Sequence, residues 1–257
     1  MTGHPDAQSL LEIAERAARS AATVLLEHRG RRSPDGVETK STPTDLVSLA
    51  DVEAERAVRD VLLRERPGDA VIGEEGVAKS GDTGLRWVVD PLDGTVNYLF
   101  GIPQWSVSVA CEGIAGVILD PPRGECFRVI QDASATLDGE PLVPSARSDL
   151  STALVATGFG YDAAVRRAQA AQVAELLPRV RDIRRLGSAA LDLAWTAAGR
   201  YDAYYERGVQ EWDVAAGLML CHTAGLQVRP LPARGELPGG VLVAPAGLLD
   251  DLLAIVG

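Results

Sequence analysis

In the stretch WVVDPLDGTVNYL, residues 87–99, an apolar run from Trp87 to Val89 ends in Asp90. Asp93 follows three residues later, just ahead of Gly94 and Thr95. Strand side chains alternate faces, so positions 90 and 93 point to opposite sides if the strand runs on unbroken. Pro91 has no N–H to give a ladder, which predicts that the chain turns at Asp90 and lets both carboxylates reach one point. Further acids stand at the ends of other predicted elements: Asp45 and Asp51, Glu74 and Glu75, Glu206, and Glu211 with Asp213. Each has a plain structural reading. Asp51 could complete a capping box with Ser48, Glu74-Glu75 could be a solvated turn, Asp90 and Asp93 could cap a helix near Thr95, and Asp213 could be a helix N-cap. Their joint placement is the stronger signal, because apolar segments lead into several of them and set them on scaffold. Unpaired carboxylates gathered at one place repel and raise one another's pKa. A hard divalent cation with oxygen ligands removes that conflict. The set holds no histidine or cysteine, so its donors suit Mg²⁺ rather than Zn²⁺.

Rival chemistries fail on spacing. An aspartyl-phosphate hydrolase of the haloacid dehalogenase type needs D-x-D-G-T, and here the second aspartate falls one residue too far along. No cysteine has an arginine six positions on, which disfavours a cysteine phosphatase. Neither G-x-x-x-x-G-K-[ST] nor G-x-S-x-G is present, which argues against a P-loop enzyme and an α/β-hydrolase.

The elements that must position these acids are legible in outline. Residues 6–28 carry apolar and small residues at helical spacing, with Gly30 as the expected stop, and Ser48 to Arg66 reads as a second helix. AVIGEEG reads as a short buried strand. QWSVSVACE, IAGVILD and ECFRVIQ read as strands separated by turns. Further on come the strand ALVATGF, a helix over 162–178, a strand, a Gly-Ser break and a small-residue helix within 179–200, the strand YDAYYERG, a helix in DVAAGLMLCHTAG, two strands and a terminal helix. Strand runs and helices alternate in blocks, as in a layered mixed α/β architecture forming one unit over 1–257.

Composition bounds the partners. The 257 residues are 46% hydrophobic and 24% charged, ordinary for a globular chain. A net charge of −11 argues against a general nucleic-acid or anionic-membrane binder. No apolar run reaches the length of a membrane span, and no basic-then-apolar leader is visible, so the reading is a cytoplasmic protein. Cys111, Cys126 and Cys221 are widely spaced with no C-x-x-C, as in reduced core cysteines. Only Lys40 and Lys79 among the 25 basic residues are lysines.

DPLDGTVNY followed far downstream by WDVAAG closely resembles the paired signatures of the inositol monophosphatase family, Mg²⁺-dependent phosphomonoesterases. KSTPTDLVSLAD (40–51), IGEEG (72–76) and GSAALDLAWTAAGRYDAYYE (187–206) match in order, so the resemblance spans most of the chain. It implies an αβαβα sandwich, with an N-terminal part over about 1–145 and a C-terminal part over about 146–257, assembled as a homodimer. It implies two or three Mg²⁺ ions per subunit. Glu74, Asp90 and the carbonyl of Leu92 would hold the first. Asp90 would bridge to a second, held also by Asp93 and Asp213. Lys40 and Asp45 match a loop that closes on a third. Gly94 and Thr95 would offer backbone N–H groups to phosphate, Asp51 and Thr95 would orient and activate water with Glu74 beside them, and Glu206 and the Ala189 backbone would meet substrate hydroxyls.

The function implied is hydrolysis of a small polyol or sugar phosphate, inositol monophosphate first. Histidinol phosphate, fructose 1,6-bisphosphate, a nucleotide or an aminocyclitol phosphate are alternatives within the same chemistry. A protein-binding role in the transcription machinery is the alternative from another class. The arginines of RVRDIRR (179–185) could meet a second phosphate, though a solvated or dimer-facing strand is the plainer reading. Glu211 before Trp212, a short CEGIAGV turn and the missing glycine-rich stretch before LDG depart from the family pattern. They bear on the outer pocket and the dimer contacts rather than on the metal ligands.

Overall fold

The computed structural model describes residues 6–29, 38–39, 46–47, 49–74 and 79–257. Two helices open the chain, α1 (Ala7–Arg29) and α2 (Leu49–Glu65), around a short two-stranded ribbon of β1 (Glu38–Thr39) and β2 (Leu46–Val47). The small residues Ala14, Ala17, Ala18 and Ala21 recur on one face of α1, where they let it pack closely against α2 and the sheet beneath. Gly30 and Ser48, expected to stop one helix and cap the other, lie outside the described residues.

The first sheet has seven strands in chain order: β3 (Ala70–Gly73), β4 (Arg86–Asp93), β5 (Ser106–Cys111), β6 (Ala115–Asp120), β7 (Glu125–Ile130), β8 (Ser134–Leu137) and β9 (Glu140–Pro141). Only the β3–β4 pair is parallel. Strands β4 to β6 are buried on both faces, so they read as near-continuous apolar runs rather than alternating ones. The short helix α3 (Thr95–Leu99) follows β4.

The second sheet follows β10 (Leu154–Thr157), α4 (Ala163–Leu176), β11 (Asp182–Arg184), α5 (Ala189–Ala197), β12 (Ala203–Arg207), α6 (Glu211–Thr223), β13 (Gln227–Leu231), β14 (Gly240–Ala244) and α7 (Ala246–Val256). Its order is β11-β10-β12-β14-β13, parallel across the first three strands and antiparallel beyond. Helices α5 and α6 lie between the two sheets, joined to both by one apolar cluster that includes Ile118, Leu193 and Tyr204. Helices α4 and α7 cover the far face of the second sheet, and α1 and α2 the far face of the first. The layers are therefore αβαβα.

One sequence expectation is corrected here. The chain does not leave the sheet at Asp90: β4 continues to Asp93 across Pro91. Asp90 lies opposite Ser108 and Asp93 opposite Ser106, so three steps on β4 match two on β5. This is a β-bulge, and Pro91 is tolerated there because a bulge interrupts the ladder. Ser106 and Ser108 share a face, so the extra residue turns Asp90 and Asp93 to one side.

Candidate active site

The bulge aims its two acids at a cavity of about 360 Å³ between the sheets. Glu74 after β3, the Asp90–Thr95 turn, Ala189, Glu206 and Asp213 all line it. Asp51, in the first turn of α2, joins from behind: Thr95 Oγ1 donates to Asp51 Oδ1 at 2.9 Å and lies 3.1 Å from the Leu92 carbonyl. The structure thus brings together every described residue expected at the site. Lys40 and Asp45 lie outside the described residues.

The plain structural readings of Asp93 and Asp213 as helix N-caps do not hold. Neither Asp90 nor Asp93 caps α3, whose N-cap is Gly94. Asp93 instead sits at the N-terminus of α5, 95 residues on from it at Ser188. Its Oδ2 accepts from Ser188 Oγ at 2.5 Å and the Ala190 N–H at 2.8 Å, and its Oδ1 from the Ala189 N–H at 3.2 Å. The Ala189 N–H is thereby engaged by Asp93. Asp213 is not an N-cap but the third residue of α6, reaching back to the Gln210 N–H at 2.7 Å.

The electrostatics separate these acids. Burial, then the charges of Glu74, Asp93 and Asp213, push Asp90 well above the usual carboxylate range. Burial raises Asp93 as well, but its hydrogen bonds from Ser188, Ala190 and Ala189 favour the charged form and limit it to about 6. Asp213 is raised to about 8, by burial and by Asp93, Glu74 and Glu206, against the Gln210 bond. These acids repel, and all the donors are oxygen. Among the described residues no three acidic, histidine or cysteine side chains are already closed around an ion position. The unmet negative charge, rather than a finished cage, is what fits Mg²⁺.

Glu206 stands on the opposite wall. Burial raises it to about 7, opposed by a hydrogen bond from Tyr204 Oη at 3.0 Å and by Arg185. Gly158 makes room for it: a Cβ there would lie 2.1 Å from the Glu206 carboxylate. Gly94 is equally constrained, with φ of 94° and a Cβ position 2.9 Å from the Gln104 carbonyl.

Several residues at the site escaped sequence reasoning. Ser188 and Ser106 brace Asp93. Asn97 Nδ2 ties α3 to the Gln104 and Leu186 carbonyls at 2.8 and 2.7 Å. Asp192 on α5 is buried, and desolvation followed by Glu206 and Asp93 pushes it well above its usual range. Arg207 at the end of β12 is 1% exposed and bonds only to carbonyls: Pro232 and Pro238 from Nη1 at 2.9 Å, Val256 from Nη2 at 2.6 Å. Glu211, the departure beside Trp212, turns outward to Arg86 Nη2 at 2.9 Å.

The αβαβα sandwich is the fold of solved phosphatases of the inositol monophosphatase type. The model of the "Inositol monophosphatase family" matches residues 6–254, and the chain belongs to that family. It is 43% identical to an inositol-1-monophosphatase of Mycobacterium leprae, over 97% of this chain and 94% of that one. It is also 43% identical to a protein of Xylella fastidiosa named Nus factor SuhB, over 84% of this chain and 79% of the other. The solved inositol monophosphatase of Anabaena superposes with a TM-score of 0.82 at 34% identity, covering 96% and 95% of the two chains. No helix among the described residues is long and apolar enough to cross a membrane.

Proposed function

We propose that the chain is a Mg²⁺-dependent phosphomonoesterase acting on a small polyol or sugar phosphate, inositol monophosphate first. The observation that carries this reading is the single-faced set of mutually repelling acids in a cavity large enough for a sugar phosphate. Glu74, Asp90, the Leu92 carbonyl, Asp93 and Asp213 would hold two ions, with Lys40 and Asp45 serving a third. When bound, such ions lower the pKa of water, polarise the phosphoryl group and stabilise the leaving alkoxide.

The chain's own groups do the rest. Thr95 Oγ1 gives its proton toward Asp51, which leaves its lone pairs to accept from an attacking water, and Asp51 is the acceptor at the end of that relay. Glu74, on the same cavity wall, would act with them on this water. Gly94 and Thr95 lie where the backbone enters α3, whose first N–H groups have no intrahelical acceptor and can face the phosphate. Glu206, fixed by Tyr204, accepts from a substrate hydroxyl. We further propose a cytoplasmic homodimer in which residues 1–257 form one unit.

A second reading comes from the relatives named Nus factor SuhB: a partner-binding role in the transcription machinery. The first experiment is phosphate release, with Mg²⁺ and with chelator, from inositol 1-phosphate, histidinol phosphate, a nucleoside monophosphate and an aminocyclitol phosphate. One substrate standing above the rest, only with Mg²⁺, is the expected result. Silence from folded protein across the set would overturn the phosphatase reading and favour the binding role.

A further inference from the structure

Strand β3 ends in a glycine directly before Glu74. A Cβ at Gly73 would lie 2.5 Å from Glu55 Oε2, 2.7 Å from its Cδ and 3.2 Å from its Oε1. Both oxygens of the Glu55 carboxylate therefore rest against the strand backbone, in space that a side chain at position 73 would fill. A glycine within a strand marks such a close approach. Glu55 belongs to α2 and is buried, and Arg59 one turn on brings Nη1 to 3.6 Å from Glu55 Oε1.

One face of α2 serves two elements of the site. Asp51 and Glu55 stand four residues apart on the helix, so they project from the same side. Asp51 takes the Thr95 hydroxyl at 2.9 Å, at the turn after β4. Glu55 meets the last residue of β3. The two strands run parallel with Gly73 opposite Val89, and one step further along each stand Glu74 and Asp90. How the backbone lies at Gly73 thus sets how Glu74 stands toward Asp90. Ala54, Val58 and Leu62, buried on the same face of α2, hold the helix where Glu55 reaches the strand. Among the described residues that line the cavity, Glu74 and Asp90 are present and Glu55 is not.

We propose that Glu55 is a positioning residue of the metal site: its carboxylate fixes the end of β3 and, with it, the place of Glu74 beside Asp90. The proposal rests on the reading of Glu74 and Asp90 as metal ligands and adds a residue that acts on them through Gly73. Groups behind a metal's ligands govern affinity by fixing where those ligands stand, without touching the ion. Gly73 is the other half of the device, since the carboxylate fits only where no Cβ intervenes.

The test is Mg²⁺ binding by titration calorimetry, with the rise in melting temperature that Mg²⁺ gives as a second readout. Glu74→Gln is the reference variant and is expected to weaken Mg²⁺ at least about tenfold. Glu55→Ala and Gly73→Ala are each expected to weaken it about tenfold, and Glu55→Gln, which keeps the shape, to retain most of the affinity. Combining Glu55→Ala with Gly73→Ala should cost no more than the worse single change, because the new methyl enters space the carboxylate has left. Should Glu55→Ala fail to fold, Gly73→Ala displaces the carboxylate without deleting it and carries the same test. Variants at 55 and 73 that melt lower in chelator yet bind Mg²⁺ as the wild type does would overturn the proposal. So would costs that simply add in the double variant. An unchanged Mg²⁺ affinity in Glu74→Gln would bring down the ligand assignment and the proposal together. Weakened Mg²⁺ binding in the pattern expected, with no phosphate released from any compound, would retain the positioning role and sink the phosphatase reading.

Discussion

Asp69 and Asp90 are buried to the same degree, 0% and 1% exposed, and stand at opposite ends of the β3–β4 pair. Burial alone would raise both. Around Asp69 it is outweighed: Arg66 Nε and Nη2 donate at 2.8 and 3.0 Å, Thr83 Oγ1 at 2.6 Å and Trp87 Nε1 at 2.9 Å, and Asp69 is held below its usual range. Asp90 lies three residues beyond Trp87 on the same strand. It has the Leu92 N–H at 3.0 Å against the charges of Glu74, Asp93 and Asp213. The difference teaches that a buried acid is not in itself a site. Asp69 is answered by a guanidinium and two neutral donors and is held low, whereas the donors around Asp90 leave it facing the like charges of Glu74, Asp93 and Asp213.

Exchanging the two acids for amides should break this comparison most sharply. Asp90→Asn is expected to cut Mg²⁺-dependent phosphate release by about 10²–10³-fold. In chelator its melting temperature should hold or rise, because the amide removes a repelling charge. Asp69→Asn should do the reverse, costing about 2–3 kcal/mol in urea unfolding through the unanswered Arg66, with kcat retained. If Asp90→Asn turned over normally, the functional half of the contrast would be lost.

The pH dependence sharpens it next. The folded-state pKa values of Asp93 and Asp213, about 6 and about 8, lie above those of the unfolded chain. Their contribution to stability is therefore full below the unfolded values and lost as pH rises through 6 to 8. Asp69 contributes with the opposite sign, its stabilisation disappearing as pH falls into the acid range. Calorimetric melting in chelator should decline from pH 5.5 to 8.5, and Mg²⁺ should restore more at the alkaline end than at the acid end. A Mg²⁺ increment independent of pH would contradict the charge argument. The smallest expected effect is Trp87→Phe, which removes one donor to Asp69. It should cost about 1 kcal/mol in urea unfolding and leave phosphate release unaltered.

Much of this site is legible in residue types, and less of it in their placement. The acids at 51, 74, 90, 93, 206 and 213 stand out because metal chemistry needs only oxygen donors at element ends. The bulge at Pro91 is invisible, since an extra residue exists only relative to a partner strand, and nothing in DPLD states the register of Ser106 and Ser108. The bond from Asp93 to the start of α5 spans 95 residues and leaves no local trace. Arg185 looks like Arg181 and Arg184 as a letter, and the end of β11 decides which of them turns inward. In the fold, long apolar periods made α1, α2 and β4 to β6 clear. The polar strands β8 and β9 went unread because SATL and EP carry too little apolar alternation to register.

The Arg207 guanidinium couples distant parts of the chain. It holds two points of the 232–238 loop and the last turn of α7, and its own backbone is continuous with Glu206. Mechanically, it works as a rivet rather than as a charge. A twist applied to the end of α7 has one buried side chain, tied through Nη1 and Nη2, to cross before it reaches the cavity wall at Glu206. The terminal helix is therefore a lever on the position of the Glu206 carboxylate in the cavity wall.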